Sequence, residues 1–433
     1  MTGSRTFTAR RFAGAGLTIA AVAAVVGFGL DGAEPGTRAE ARVTAAPASD
    51  ARWEAVPALP GARSMDVDGA ATAVADGRLH VAVVDRARSS RRPSTVLVYR
   101  LDDRRWTRVA PALEVNRGGR VDLLGGATPC VAGVSGQSTR LWCAEKVAWR
   151  SVGGEVFDTT FPEPVTTYAG AFTSDGRVYV LRAHLQNAST QPGAVAVTGR
   201  VEHTAYVRSG DGWRSIGGDL DPSAPAGTQR PFPLTYRGHA CIVFNRLSSD
   251  PRVGPQVTTR CLIGSTWSDA GVPPITLTPK AGQTLEAINV DGATVADGRL
   301  VVGLDHFRGE AVDWPVKRWD GDRWTATPLG ADVSGWNEQG TLHTIRSEPW
   351  AVRFDQRPSA SGLRTRLVVR RQDADGRSRE VGRPLIENAR FFGPLYWGLE
   401  AVEDDVYAMA TVPDRKARRN RIAVFSLIDP SQN

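Results

Sequence analysis

The sequence predicts an all-β chain: a seven-bladed β-propeller of four-stranded blades, its ring closed by the chain's own N-terminal strand. Three observations carry this expectation. A hairpin signal recurs along the chain, a strand–turn–Trp motif follows it, and the strand count leaves one strand missing at the C-terminus and one spare at the N-terminus.

The hairpin comes first. Ala71 to Leu79 (ATAVADGRL), Gly170 to Val178 (GAFTSDGRV) and Gly292 to Leu300 (GATVADGRL) each read as an apolar strand, an Asp-Gly turn and a second apolar strand. Asp-Gly between alternating apolar runs is a strong short-range hairpin signal. Tyr236 to Phe244 and Val402 to Ala410 follow the same plan, and Ala127 to Val134 and Ile345 to Phe354 follow it loosely. Together they make seven inner hairpins.

The second motif is a strand, a short polar turn, and a Trp opening another strand. LVYRLDDRRWTRVAP (Leu97 to Pro111) is the clearest copy, and the motif places Trp at 106, 149, 213, 267 and 324. The next copy, VVRRQDADGRSREVG, has Ser378 where Trp is expected. Spacings of 43, 64, 54, 57 and 54 residues fit one four-stranded blade each. Large rings at a fixed place in every blade suit packing between blades better than ligand contact.

The count closes the ring. After the seventh inner hairpin, Ile422 to Ile428 supplies a third strand and no fourth follows. Ala51 to Pro60 (ARWEAVPALP) is an orphan copy of the outer-strand motif, matching RRWTRVAPAL. Using it as the missing outer strand removes the exposed edges of an open array. Loss of Trp53 is then expected to open the ring.

The ADGRLHVAVV-type inner hairpin and the LVYRLDDRRWTRVAP-type outer hairpin resemble those of the kelch family of propellers, across roughly residues 51 to 428. The resemblance implies the architecture; the Gly-Gly pair that usually ends the second kelch strand is not in that place. SGDGWRS and WDGDRWTA approach the Asp-box of sialidase-type propellers without completing it. The Ala-, Gly- and Arg-rich bias, with four Lys, resembles GC-rich coding in secreted actinobacterial proteins.

Composition agrees with many short strands. Of 433 residues, 41% are hydrophobic and 23% charged, so the chain can bury a core, and its 45 Gly and 27 Pro are spread out as turns require. The net charge of +7 has no accompanying aromatic-basic motif, so no nucleic-acid partner is expected.

The N-terminus places the chain. Arg5, Arg10 and Arg11 precede an uncharged stretch from Phe12 to Leu30, the layout of an export signal. Residues 1–41 are read as export signal or N-terminal anchor, 42–50 as linker and 51–430 as one propeller domain. The protein is thus expected to be secreted or extracytoplasmic, touching a membrane only if residues 12–30 stay uncleaved. Cys130 and Cys143, and Cys241 and Cys261, fall on successive strand-like runs, which predicts two intra-blade disulfides in an oxidising compartment.

No catalytic, metal or cofactor motif emerges. The six His residues do not pair at metal spacing, and no HExxH, nucleophile elbow or phosphate loop occurs. No metal and no cofactor are expected. In a propeller the tight turns share one end and the long loops share the other, which makes the loop end the functional one. Second strands end there in Asp85, Arg182, His184, Asn245, Asp305, His306 and Asp355. Two loops add aromatic residues in polar company: Trp336 with Asn337, and Arg390 with Tyr396 and Trp397. Aromatic faces beside amides and charges hold sugar rings or peptide side chains. The expected function is an extracellular binding or scaffolding propeller that recognises a glycan, a cell-wall polymer or a protein through its loop end. The alternative is a secreted glycan hydrolase or lyase with acid and base among Asp85, Asp305, His306 and Asp355. A metal-dependent oxidase ranks third.

Overall fold

Short alternating runs punctuated by turn residues give strands, and the described residues contain strands and turns but no helix. The computed structural model describes residues 51–429 apart from 62–64, 66, 87–92, 116–119, 135–137, 158–164, 190–197, 221–230, 247–255, 277–286, 309–310, 314, 330–336, 360–361, 373–375, 388, 390, 392–394 and 415. The expected export segment and linker lie outside the described residues.

The strands form antiparallel units in chain order. Unit 1 covers 67–108, unit 2 120–157, unit 3 165–219, unit 4 232–268, unit 5 287–327 and unit 6 337–380. Unit 7 covers 397–428 and takes Arg52–Ala55 as its outer strand. That strand runs antiparallel to Arg419–Ile428, with Trp53 opposite Leu427 and Glu54 opposite Ser426. Units 3 and 4 merge through a single parallel bridge, Gly217 to Thr266.

The inner turns explain the hairpins. Asp76 and Gly77 have φ of 49° and 63°, Asp175 and Gly176 47° and 73°, and Asp297 and Gly298 48° and 67°. Positive φ at both central residues is the I′ geometry, which Asp-Gly accepts at low cost. Arg346 and Ser347, at 51° and 66°, do the same without Gly, which is why that hairpin reads only loosely. Unit 2 departs from the expected position: its first strand is Arg120–Leu124, and a longer turn leads to Cys130–Val134. Gly125 in that turn lies against the Val74 carbonyl, where a Cβ would collide.

The cores lie between units rather than within them. The innermost strand of each unit contacts that of the next, and Trp397–Val402 of unit 7 contacts Val67–Ala75 of unit 1. Indoles tie the outer strands to the preceding unit. Trp106 Nε1–H donates to Pro57 O at 2.7 Å, Trp149 to Pro111 O at 2.7 Å, Trp324 to Pro273 O at 2.8 Å and Trp53 to Val381 O at 2.8 Å. Trp213 and Trp267 pack their Nε1 edges against Gly153 and Gly217.

Both expected disulfides are formed, Cys130–Cys143 and Cys241–Cys261, each joining residues directly opposite on the second and third strands of one unit. Two disulfides point to an oxidising compartment. Among the described residues no helix is long and apolar enough to cross a membrane.

Candidate functional site

Each unit has a turn end, holding the inner and outer hairpin turns, and a loop end. Buried polar side chains gather at the loop end. Arg182 is fully buried, and His203, Asn245, Arg353 and Thr411 are at most 2% exposed. Strand register explains why. Residues paired across a sheet share a face, and adjacent units cover both faces of each sheet. A polar residue near a second-strand end is therefore trapped between units.

Unit 6 carries the densest group. Asp355 stands opposite Arg366, Ala351 opposite Arg370, and Arg370 opposite Glu380. Arg353, two residues before Asp355, shares their face, which looks toward unit 5. Arg353 Nη2 lies 3.2 Å from Asp355 Oδ1, and Arg366 Nη2 lies 3.0 Å from Glu380 Oε2. Burial pushes the Asp355 carboxyl above its usual range, while Arg353, Arg366 and Arg370 pull it back. Removing either partner of a buried pair of this kind is strongly destabilising.

Arg182 is the counterpart of Arg353. Both stand six residues past the second turn residue of their inner hairpin, Gly176 and Ser347. Arg182 Nη1 donates to Val156 O of unit 2 at 3.1 Å. The sequence reading named Arg182 but missed Arg353, Arg366, Arg370 and Glu380. Aligning the hairpins on their turns would have found Arg353.

The other expected site residues divide. Asn245, 2% exposed, sits near the end of its strand opposite Val257. Asp85 is half-buried opposite Val67 and Thr95. The backbones of His184, Asp305, His306 and Asn337 lie in strands at the loop end, His184 opposite Glu202 and Asn337 opposite Gln356. Their side chains lie outside the described residues, as do Trp336 and Arg390. Asp305 and His306 pair with Asn289 and Ile288 in unit 5, and the neighbouring short strand Ala311–Asp313 contacts the strand that Asn337 opens. Four of the expected residues, Asp305, His306, Asn337 and Asp355, thus lie on backbone segments of the neighbouring units 5 and 6.

Tyr396 and Trp397 are engaged in packing between units. Tyr396 Oη–H donates to Asp68 O of unit 1 at 2.5 Å, and its backbone N–H donates to Thr411 Oγ1 at 2.7 Å. Burial, reinforced by Asp68, pushes the Tyr396 hydroxyl up to about 12. Trp397 stacks on Phe354 of unit 6, ring centres 5.7 Å apart and planes 14° apart.

At the turn end a cleft of about 320 Å³ lies between units 1 and 7, floored by Leu79, Leu101 and Val402. Asp102 on its wall accepts from Arg78 and from Arg100 Nε at 2.8 Å. Among the described residues no group of three His, Cys, Asp or Glu could hold a metal ion.

No protein family matches the chain, and no curated protein does. Solved structures similar to it are β-propeller proteins. One is the sialidase of Trypanosoma rangeli with the inhibitor DANA, at 14% identity and a TM-score of 0.43, matching 72% of this chain. This chain spans 55% of that sialidase's length. The polysaccharide lyase Uly1 matches at 10% identity and 0.49, covering 88% of this chain and 97% of its own. The SapL1 lectin with alpha methyl fucoside matches at 14% and 0.41, covering 75% and 99%. At these identities and scores the likeness carries no functional argument, so what the chain does must be argued from its own residues.

Proposed function

We propose that residues 51–430 form one exported seven-bladed β-propeller, closed by the N-terminal strand, that binds an extracellular glycan or cell-wall polymer through its loop end. The observation that carries the reading is the asymmetry of the two ends: tight turns at one, buried Arg182, Asn245, Arg353 and Asp355 at the other. Buried charged and amide groups are costly to desolvate, and at the loop end they brace the strand ends that would present a binding surface. Trp336, Asn337 and Arg390 would extend that surface, with Asp85, His184, Asp305 and His306 along its rim.

A second reading, a glycan hydrolase or lyase, rests on Asp355, whose carboxyl is held above the usual range by burial, as a general acid requires. A binding screen of the purified full-length chain against glycans and cell-wall polymers separates them. Saturable binding without turnover, lost in Trp336→Ala and weakened in Asp355→Asn, is the expected result. Release of reducing ends or unsaturated sugars would favour the enzyme. Binding to none of the polymers would overturn the reading.

A further inference from the structure

In unit 7 the strand Asp405–Asp414 runs out to the loop end and Arg419–Ile428 returns from it, with Asp414 opposite Arg419. The hairpin tip between them belongs to the densest basic run of the sequence, Arg415 to Arg421. Its one acid is spent inside the turn: Asp414 Oδ1 accepts from the N–H groups of Ala417 and Lys416, both at 3.1 Å. Lys416 and Arg418 are exposed, with Arg419 and Arg421 half-buried behind them. Arg418 keeps a left-handed backbone, φ 51°, where Gly or Asn is cheaper.

A second basic tip stands in the neighbouring unit. The strands Glu348–Ser359 and Gly362–Gln372 of unit 6 reach the same end, and there Arg357 stands directly opposite Arg364. Like charges directly opposite repel, and an anion held between them offsets that cost. The acids of this sheet lie one step back from the tip, where Asp355 and Glu387 both pair with Arg366. The two tips share a base: Phe354 and Leu367 of unit 6 and Val412 of unit 7 belong to one apolar cluster with Trp397. The opposite end of unit 7 has the opposite charge. Its inner turn carries Glu403 and Asp405, which line the turn-end cleft with Asp102 and Asp103 of unit 1.

We infer that the loop end takes an anionic polymer, a glycan or wall polymer bearing carboxylate or phosphate groups, across the basic tips of units 6 and 7. The inference rests on the loop-end binding proposed above and narrows it to a charge class. Guanidinium groups grip such anions through paired N–H donors, and the repeated charges of a polymer engage both tips at once. A neutral glycan gains nothing from either tip, and the acidic turn end repels an anionic one.

Binding of the purified full-length chain to polygalacturonate, to a glycerol phosphate polymer and to neutral dextran tests this, with charge removed from one end at a time. Lys416→Gln with Arg418→Asn strips two charges from the loop end, and Asn accepts the left-handed backbone at 418. Lys146→Asn with Arg237→Asn strips two from exposed turns at the other end, where φ is 57° and 51°. Both double variants should unfold at the unaltered chain's midpoint, which separates lost binding from lost fold. At least one anionic polymer should bind and dextran should not. The loop-end variant should weaken that binding about tenfold, the turn-end variant less than about twofold, and added salt should weaken it further. Equal losses in the two variants would overturn the inference, because net charge alone would then explain binding. Dextran binding as tightly as the anionic polymers would overturn it and leave the loop-end reading standing. Binding to none of the three would overturn it, and the loop-end reading falls too only if the wider polymer screen is also empty. Tighter binding to double-stranded DNA than to either anionic polymer would assign the tips to nucleic acid and overturn it as well.

Discussion

The junction of units 7 and 1 joins parts of the chain more than 300 residues apart, and the junction of units 5 and 6 joins neighbours. The first is aromatic and apolar, with an ion pair at its edge between Arg104 Nη1 of unit 1 and Glu54 Oε2 of the added strand at 3.3 Å. Trp106 donates to Pro57 O, Tyr99 Oη–H to Pro60 O at 2.9 Å, Tyr396 Oη–H to Asp68 O, and Thr72 Oγ1–H to Glu400 Oε1 at 3.0 Å. Among the described residues the second has a six-residue apolar cluster, and the ion pairs beside it, Arg353–Asp355 and Arg366–Glu380, lie within unit 6. Loop-closure entropy accounts for the difference. Units 5 and 6 are held at high effective concentration by a short connection, whereas the chain's two ends must be brought together against the entropy of the whole chain. A strong non-covalent interface is needed where the chain gives no help, and a weak one suffices where it does.

The largest expected effect breaks the ionic side of the comparison. Asp355→Ala removes a buried carboxylate paired with the buried Arg353 and should cost about 4 kcal/mol in urea unfolding. Next, Trp53→Ala removes an indole and its hydrogen bond from the added strand and should cost about 3 kcal/mol, with a lower midpoint for the whole transition. Loss confined to one unit would contradict a closed ring.

A pH series then sharpens the aromatic side. Burial pushes the Glu400 carboxyl from an ordinary 4.5 up to about 7, against the opposing hydrogen bond from Thr72. The folded state therefore holds this proton more tightly than the unfolded state. Its contribution to stability is full below about 4.5 and is lost as pH rises through 7. Glu400→Gln should flatten the stability profile across that window; an unchanged slope would remove Glu400 from the junction's energetics. The smallest effect is Ser378→Trp, expected to stabilise by about 1 kcal/mol if the added ring seats as the other six do.

Much of this was legible in the residues. Asp-Gly turns, the Trp spacing and the paired cysteines are local signals, and strand counting alone paired Arg52–Ala55 with the last strand. Unit 2 was misplaced because its turn at Gly125 is set by contact with unit 1, not by local chemistry. The charged face of unit 6 was hidden for a different reason: Arg is abundant throughout, and only cross-strand register shows Arg353, Asp355, Arg366 and Glu380 on one side. Tyr396 and Trp397 look alike in sequence to ligand-contacting aromatics, but their partners, Asp68 and Phe354, belong to other units.

The most direct test of the ring is a cross-link at its closing strand. Glu54 and Ser426 stand directly opposite each other, and the chain has no free thiol among its described residues to interfere. The double variant Glu54→Cys, Ser426→Cys should oxidise within one molecule and raise the unfolding midpoint. Thiols that stay reduced, or that link two chains, would contradict closure by the N-terminal strand.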